Sequence, residues 1–144
     1  MAAGRARGQA LRGLLDTSTL ILLPRIDDPA GLPDEPLIST ITLAELTVGP
    51  LVASSDHERV ARQAHLQQAE ADFDPLPFDA RSARAFGAVA VSLRRSRRKR
   101  RARAFDALIA AVALANDLPI YSANPDDFAG IDGLEVLAVD VPPL

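Results

Sequence analysis

The chain has 144 residues, enough for one domain with a sizeable core. Its apolar content of 48% excludes a chain that is disordered over its whole length. It has no cysteine, which excludes disulfides, a thiolate nucleophile and cysteine-ligated metals. The net charge of −3 hides an asymmetry, because eight of the sixteen basic residues lie within residues 94–103. The remainder of the chain is strongly acidic, so this basic run favours a polyanion or an acidic partner.

The N-terminal residues are small and polar, so we predict a flexible lead-in at 1–12 and a single domain at 13–144. No apolar run reaches the roughly 18 residues of a membrane span, and Asp16 interrupts the only stretch that imitates a signal peptide. We therefore predict a cytoplasmic protein without membrane association.

Leu14 and Leu15 are typical of a short buried strand that ends at Asp16, and Thr17 to Thr19 are good N-caps for a following helix. An acid at such a strand end is either a simple helix cap or a ligand-binding group, since open α/β sheets bind ligands there. Residues 27–36 are rich in proline and predict a loop, after which 37–40 predict a second strand. The pattern at 41–52 indicates a helix with Glu45 in its middle, either facing the surface or serving a site.

A mostly polar helix is predicted at 56–70. It carries His57 and His65, whose spacing is poor for a metal pair, so we interpret both as surface residues. Pro75 and Pro77 make 73–78 an edge strand or an extended link, and a helix at 80–93 leads into the basic run.

Asp106 opens an alanine-rich helix, which is followed by a strand at 118–121, a polar turn and a last strand at 134–139. Strands and helices thus alternate along the chain, which predicts a parallel sheet between helices. The strand ends would bring Asp16, Glu45 and Asp106 to one edge of that sheet.

Three acids at one edge would repel each other unless a cation is present, and oxygen ligands suit Mg²⁺. Ser18, Ser122 and Asn124 could add neutral oxygens or orient the ligands. Such a site suits phosphodiester hydrolysis by metal-activated water. The alternative is that all three acids are helix caps or surface residues.

Three segments, LLDTSTLI, ISTITLAELTVG and DALIAAVALANDLPIYSANPDDF, resemble PIN-domain ribonucleases, specifically the VapC toxins of bacterial toxin–antitoxin pairs. The resemblance covers about residues 13–140. It implies a three-layer α/β/α sandwich with a central, mostly parallel sheet. It also implies Mg²⁺ or Mn²⁺ dependence, RNA cleavage, a homodimer and inhibition by a small cognate antitoxin.

The family's acidic site carries over as Asp16, Glu45 and Asp106, which the resemblance implies as catalytic metal ligands. Its fourth position falls on Asn124, and Asp127, the acid of the family's DF pair, is a further candidate ligand. Ser18 and Ser122 would support these groups. The basic run would hold the RNA backbone through Arg94, Arg95, Arg97, Arg98, Lys99, Arg100, Arg101 and Arg103.

Two other classes of function compete with this interpretation. A non-catalytic module could bind nucleic acid or an acidic partner through 94–103, with the acids acting only as caps. A receiver-type phosphoacceptor domain would need a lysine near its acyl phosphate, yet Lys99, the only lysine, lies inside the basic run.

Overall fold

The computed structural model describes residues 11–96 and 104–143. Within these ranges the chain forms a four-stranded sheet in which every neighbouring pair is parallel, in the order β2-β1-β3-β4. The strands are β1 (Arg12–Leu15), β2 (Glu35–Leu37), β3 (Ile120–Ser122) and β4 (Val136–Ala138). Since all run in one direction, their carboxyl ends lie at one edge.

Five helices connect these strands in the described part of the chain, but the predicted alternation of strands and helices is wrong, because four helices follow one another between β2 and β3. They are α1 (Thr17–Leu22), α2 (Thr40–Leu51), α3 (Asp56–Asp72), α4 (Ala80–Ser96) and α5 (Ala104–Ala115). Short 3-10 turns occupy Leu23–Arg25, Pro29–Gly31 and Pro125–Phe128. None of the helices described is long and apolar enough to cross a membrane.

Two hydrophobic clusters lie on opposite faces of the sheet, because successive side chains of a strand point to opposite sides. Leu14 packs in one cluster with Val89 of α4 and Val112 of α5. Leu15 packs in the other with Leu46 of α2 and Ala69 of α3. The sheet therefore lies between two helical layers, and the predicted α/β/α sandwich is confirmed.

Alanine dominates the buried surface of α5, where residues 109–113 are all fully buried. Small side chains let α5 approach the sheet and α4 closely, and alanine has the highest intrinsic helix propensity. This packing fixes the N-terminal turn of α5, which carries Asp106.

The predicted second strand exists, but its predicted bounds of 37–40 are wrong. The strand is β2, which begins inside the predicted loop, and Ser39 instead caps α2 by accepting a hydrogen bond at its Oγ from the Thr42 amide (3.2 Å). Beyond β2 the chain makes a single parallel bridge to Leu76, whose amide donates to the Ile38 carbonyl (2.9 Å). The stretch at 73–78 is thus an extended link with one bridge to the sheet edge.

Arg12, the last residue of the predicted lead-in, already belongs to β1, and residues 1–10 lie outside the described part of the chain. The division into a lead-in and a single domain stays a prediction.

Candidate active site

Asp16 lies at the carboxyl end of β1 and is only 2% exposed. Its Oδ1 accepts a hydrogen bond from the Thr19 amide (3.2 Å), which makes it the N-cap of α1. Its Oδ2 accepts from the Ser122 hydroxyl at the end of the neighbouring β3 (2.8 Å). Asp16 is therefore a helix cap and also a buried acid at the sheet edge, so the two interpretations of this residue do not exclude each other.

Burial raises the pKa of the Asp16 carboxyl above its ordinary value. The hydrogen bonds from Thr19 and Ser122 oppose this effect, and the negative charge of Asp127 adds to it. The ionised form is thus disfavoured, and a bound cation would favour it instead.

Glu45 is half-buried on α2 and interacts electrostatically with Asp16. The Thr17 hydroxyl donates to Glu45 Oε1 (2.5 Å). Burial, more than the nearby Asp16, raises the pKa of Glu45, and the bond from Thr17 lowers it. Of the two alternatives for Glu45, the structure therefore favours a site acid over a solvent-facing residue.

The sequence analysis missed the hydrogen-bond link that holds Glu45. The hydroxyl oxygens of Thr17 and Thr42 lie 2.9 Å apart, and Thr42 is fully buried. Since a hydroxyl has one proton, the Thr42 hydroxyl donates to Thr17 when Thr17 donates to Glu45. The sequence contains one indication of this link. Thr42 and Glu45 are three residues apart and therefore share one face of α2.

Three hydrogen bonds fix the loop after β3, one to the end of β3 itself and two to α1. The Asn124 amide donates to Ser122 Oγ (2.9 Å), and the Ala123 amide donates to Thr19 Oγ1 (2.9 Å). The exposed Asn124 side chain donates from Nδ2 to Ser18 Oγ (3.4 Å). Ser18, Ser122 and Asn124 therefore lie together beside Asp16.

Asp106 and Asp127 are both partly buried and lie on elements that pack together. Asp106 is in the first turn of α5, which contacts α2 and the Pro125–Phe128 turn that carries Asp127. The charge of Asp127 acts on Asp16. The negative charge of Asp127 thus contributes to the raised pKa of Asp16, and that of Asp16 to the raised pKa of Glu45. Asp106 lies on α5, which contacts both the helix that carries Glu45 and the turn that carries Asp127.

The donor atoms at this edge are carboxylate, hydroxyl and amide oxygens, the set that Mg²⁺ prefers. Over 11–96 and 104–143, no three acidic, histidine or cysteine side chains form a ready-made metal site. Mg²⁺ commonly uses one or two carboxylates and keeps several waters. Asp16 and Glu45 therefore fit such an ion with water completing its coordination.

Only the beginning of the basic run lies in the described part of the chain. Arg94 and Arg95 are exposed at the end of α4, and Arg95 pairs with Asp132 (Nη1 to Oδ2, 3.0 Å). The other predicted RNA contacts lie outside the described residues, namely Arg97, Arg98, Lys99, Arg100, Arg101 and Arg103. Of the two histidines, His57 is exposed, as predicted, and His65 is half-buried.

Comparison with known proteins supports the resemblance. The PIN domain family matches residues 13–134. Ribonuclease VapC5 of Mycobacterium tuberculosis is 41% identical over 123 residues, which cover 84% of this chain and 88% of that protein. Ribonuclease VapC4 of the same organism is 32% identical over 130 residues, which cover 89% and 97% of the two proteins.

The fold is shared with a crystal structure of VapBC-5 from Mycobacterium tuberculosis, a member of the VapBC family of toxin–antitoxin systems. The match has a TM-score of 0.76 and 37% sequence identity, and it covers 89% of this chain and 98% of that one. The predicted family is thereby confirmed: the chain belongs to the PIN-domain family and, within it, to the VapC ribonucleases.

Proposed function

We propose that this protein is a Mg²⁺-dependent endoribonuclease toxin that cleaves RNA with a metal-activated water and is inhibited by a cognate antitoxin. One observation carries the metal-dependent part of the proposal: the Asp16 carboxylate is buried at the carboxyl edge of the sheet, where bonds from Ser122 and the Thr19 amide hold it near Glu45 and Asp127. Acids gathered in this way destabilise each other without a cation, so their arrangement is best explained by a divalent ion.

Asp16, Glu45 and Asp106 are the proposed ligands of Mg²⁺, with Mn²⁺ as an alternative. When bound, the ion would supply an acidified water and offset charge on the phosphate. Ser122 and the Thr19 amide hold Asp16, and Thr17 holds Glu45. These bonds orient the carboxylates before substrate arrives, which reduces the reorganisation that the reaction requires.

Asn124 takes the fourth family position in this proposal, with Asp127 as the alternative. The exposed amide of Asn124 is available to position water or a phosphate oxygen, and Ser18 supports it. Asp127 supplies the negative charge near Asp16. In-line attack by water would then leave a 3′-hydroxyl and a 5′-phosphate.

The proposed partners follow from family membership. The VapBC-5 structure is that of a toxin–antitoxin system, which supports a small antitoxin as the partner of this chain. A homodimer, a cytoplasmic location and RNA contacts by the basic run at 94–103 belong to the same proposal. A non-catalytic binding module is disfavoured, because a helix cap requires neither burial nor coupling to a second acid.

The test is cleavage of total RNA by the purified protein with Mg²⁺, after EDTA treatment, and after Mg²⁺ is restored. Glu45→Gln should lower the cleavage rate, and Glu70→Gln on the exposed face of α3 serves as the matched control. Cleavage that persists in EDTA, or equal cleavage by wild type and Glu45→Gln, would overturn the proposed site.

A further inference from the structure

A cavity of about 300 Å³ borders Glu45 on the side of α3. Its other walls are Thr17, Gly49, Arg62 and His65 together with the apolar Ile21 and Leu46. We propose that this cavity is a phosphate subsite, in which Arg62 and His65 hold the RNA phosphodiester next to the one that is cleaved. This inference rests on the proposed ribonuclease function and adds to it a substrate contact separate from the basic run.

Arg62 is held in place by two contacts. Its Nη1 donates to the Gly49 carbonyl in the last turn of α2 (2.9 Å), and its Nη2 lies 3.0 Å from Glu58 Oε1 one helical turn earlier. A guanidinium has five N–H donors, so these two contacts leave donors for a ligand. The bond to the Gly49 carbonyl restricts the guanidinium, so Arg62 loses less conformational freedom on binding a phosphate than an unrestrained arginine would.

Charge supports a phosphate as the ligand. The acids Asp16, Glu45 and Asp127 repel an RNA backbone, so a substrate at Glu45 needs a cation beside it. The Arg62–Glu58 pair is 37% exposed on both sides and is therefore weak. A phosphate can replace Glu58 and bind the guanidinium through two parallel hydrogen bonds.

His65 follows Arg62 by three residues and lines the same cavity. Its imidazole provides an N–H donor even in the neutral form. The subsite is also separate from Arg94 and Arg95, because α3 and α4 cover opposite faces of the sheet. The two regions can therefore be tested independently.

The test measures binding of a fluorescent single-stranded RNA of mixed sequence to the full chain without divalent ions. Asp16→Asn is introduced in every sample to prevent cleavage. Arg62→Gln should weaken binding about threefold or more and reduce the slope of log K against log salt by about 0.7, the value for one lost contact to a single strand. Arg59→Gln is the matched control, since Arg59 lies one turn earlier on α3 and pairs with Asp56.

Arg62→Lys keeps the charge and should keep the salt slope, which separates a phosphate contact from a purely structural role of Arg62. In the cleaving protein, Arg62→Gln should raise KM with little change in kcat. An unchanged slope in Arg62→Gln, or an equal change in Arg59→Gln, would overturn the subsite. Absence of Mg²⁺-dependent cleavage by wild type would instead overturn the ribonuclease proposal, because the binding test requires no cleavage.

Discussion

The apolar face of α5 and the polar sheet edge at Asp16 are buried to nearly the same extent but affect stability in opposite directions. Ala110 and Val112 are fully buried, and so is Ser122, while Asp16 is 2% exposed. Removing apolar surface from water stabilises the fold by about 25 cal/mol per Å². Burying a carboxylate costs free energy even when it is hydrogen-bonded, and its raised pKa is the sign of that cost.

We interpret this difference in stability as follows: the apolar face of α5 serves the fold, and the sheet edge at Asp16 serves the proposed chemistry. Residues that destabilise a fold yet stay buried and organised are expected at functional sites. Substitutions at the sheet edge should therefore lower activity without lowering stability, whereas substitutions in the apolar packing should do the reverse.

The largest effect is expected for Asp16→Asn. Losing an outer hydrogen-bond partner of a metal ligand already costs about 10- to 100-fold, so losing the ligand charge should lower RNA cleavage by at least about 100-fold. Asparagine can still accept from the Thr19 amide and also removes the buried charge. The melting temperature of the metal-free protein at neutral pH should therefore stay equal or rise, as thermal unfolding can measure.

Asp74→Asn is the matched control, because Asp74 is an exposed acid in the link before α4. It should leave both cleavage and melting temperature unchanged. A large loss of stability in Asp16→Asn would show that the sheet edge supports the fold in the same way as the apolar packing, and the proposed contrast would fail.

The next largest effect is expected for Thr17→Val, which removes the hydroxyl that donates to Glu45. Cleavage should fall by about 10- to 100-fold, as for other groups that orient metal ligands. Because the Thr17 bond lowers the pKa of Glu45, its loss raises that pKa further. The acid limb of the pH–rate profile should then move to higher pH.

Thr17→Ser keeps the hydroxyl and should restore both the rate and the position of the acid limb. A purely steric role for Thr17 would give the opposite pattern, in which valine, which is close to threonine in shape, works as well as wild type and serine does not.

The sequence predicts well which polar residues meet at the strand ends. Asp16 and Ser122 each end a short apolar run, and parallel strands bring such ends together whatever their distance along the chain. The parallel sheet between helical layers is also predicted correctly, although the strict alternation of strands and helices is not. The family motifs, rather than spacing, single out Glu45 and Asp106 among the other acids.

Other features depend on packing that single segments do not encode. The second strand ends earlier than the predicted 37–40 because Ser39 forms a helix cap, a competing role for a small polar residue in an apolar run. The Thr42–Thr17 contact joins residues 25 apart, and it requires the relative position of α1 and α2. His65 belongs to a polar helix by pattern, yet tertiary packing makes it half-buried beside a cavity.

A substitution in the apolar packing is expected to lower stability and leave activity unchanged, which is the reverse of the result expected at the sheet edge. A Cβ added at Gly13 of β1 would lie 2.3 Å from Cε1 of Tyr121, whose side chain is buried. Gly13→Ala should therefore destabilise the fold by about 1–3 kcal/mol through overpacking, while folded protein at low temperature keeps its cleavage rate. Chemical denaturation and single-turnover cleavage measure the two quantities.

Gly87→Ala on α4 is the matched control, because a Cβ there meets no atom within 4 Å. It should stabilise the protein by about 0.4–1 kcal/mol by restricting the unfolded chain. Equal effects of the two substitutions would show that the Gly13–Tyr121 approach does not constrain the core.

The smallest expected effect is a change in melting temperature that depends on both pH and Mg²⁺. Because burial raises the pKa of Asp16 and of Glu45, the folded state binds protons more tightly than the unfolded chain. Their contribution to stability is fully present below the unfolded pKa values and is lost as pH rises through the folded ones. The melting temperature of the metal-free protein should therefore carry a component that falls between acid and neutral pH, and this component should be absent in a double variant Asp16→Asn, Glu45→Gln.

Mg²⁺ should offset this fall in melting temperature, because it binds only the ionised carboxylates of the folded state. Its stabilising effect should therefore be larger at neutral pH than at acid pH in the wild type and should be lost in the double variant. If Mg²⁺ raised the melting temperature equally in both proteins and at both pH values, its binding would lie elsewhere. The destabilisation at the sheet edge would then have no link to metal binding.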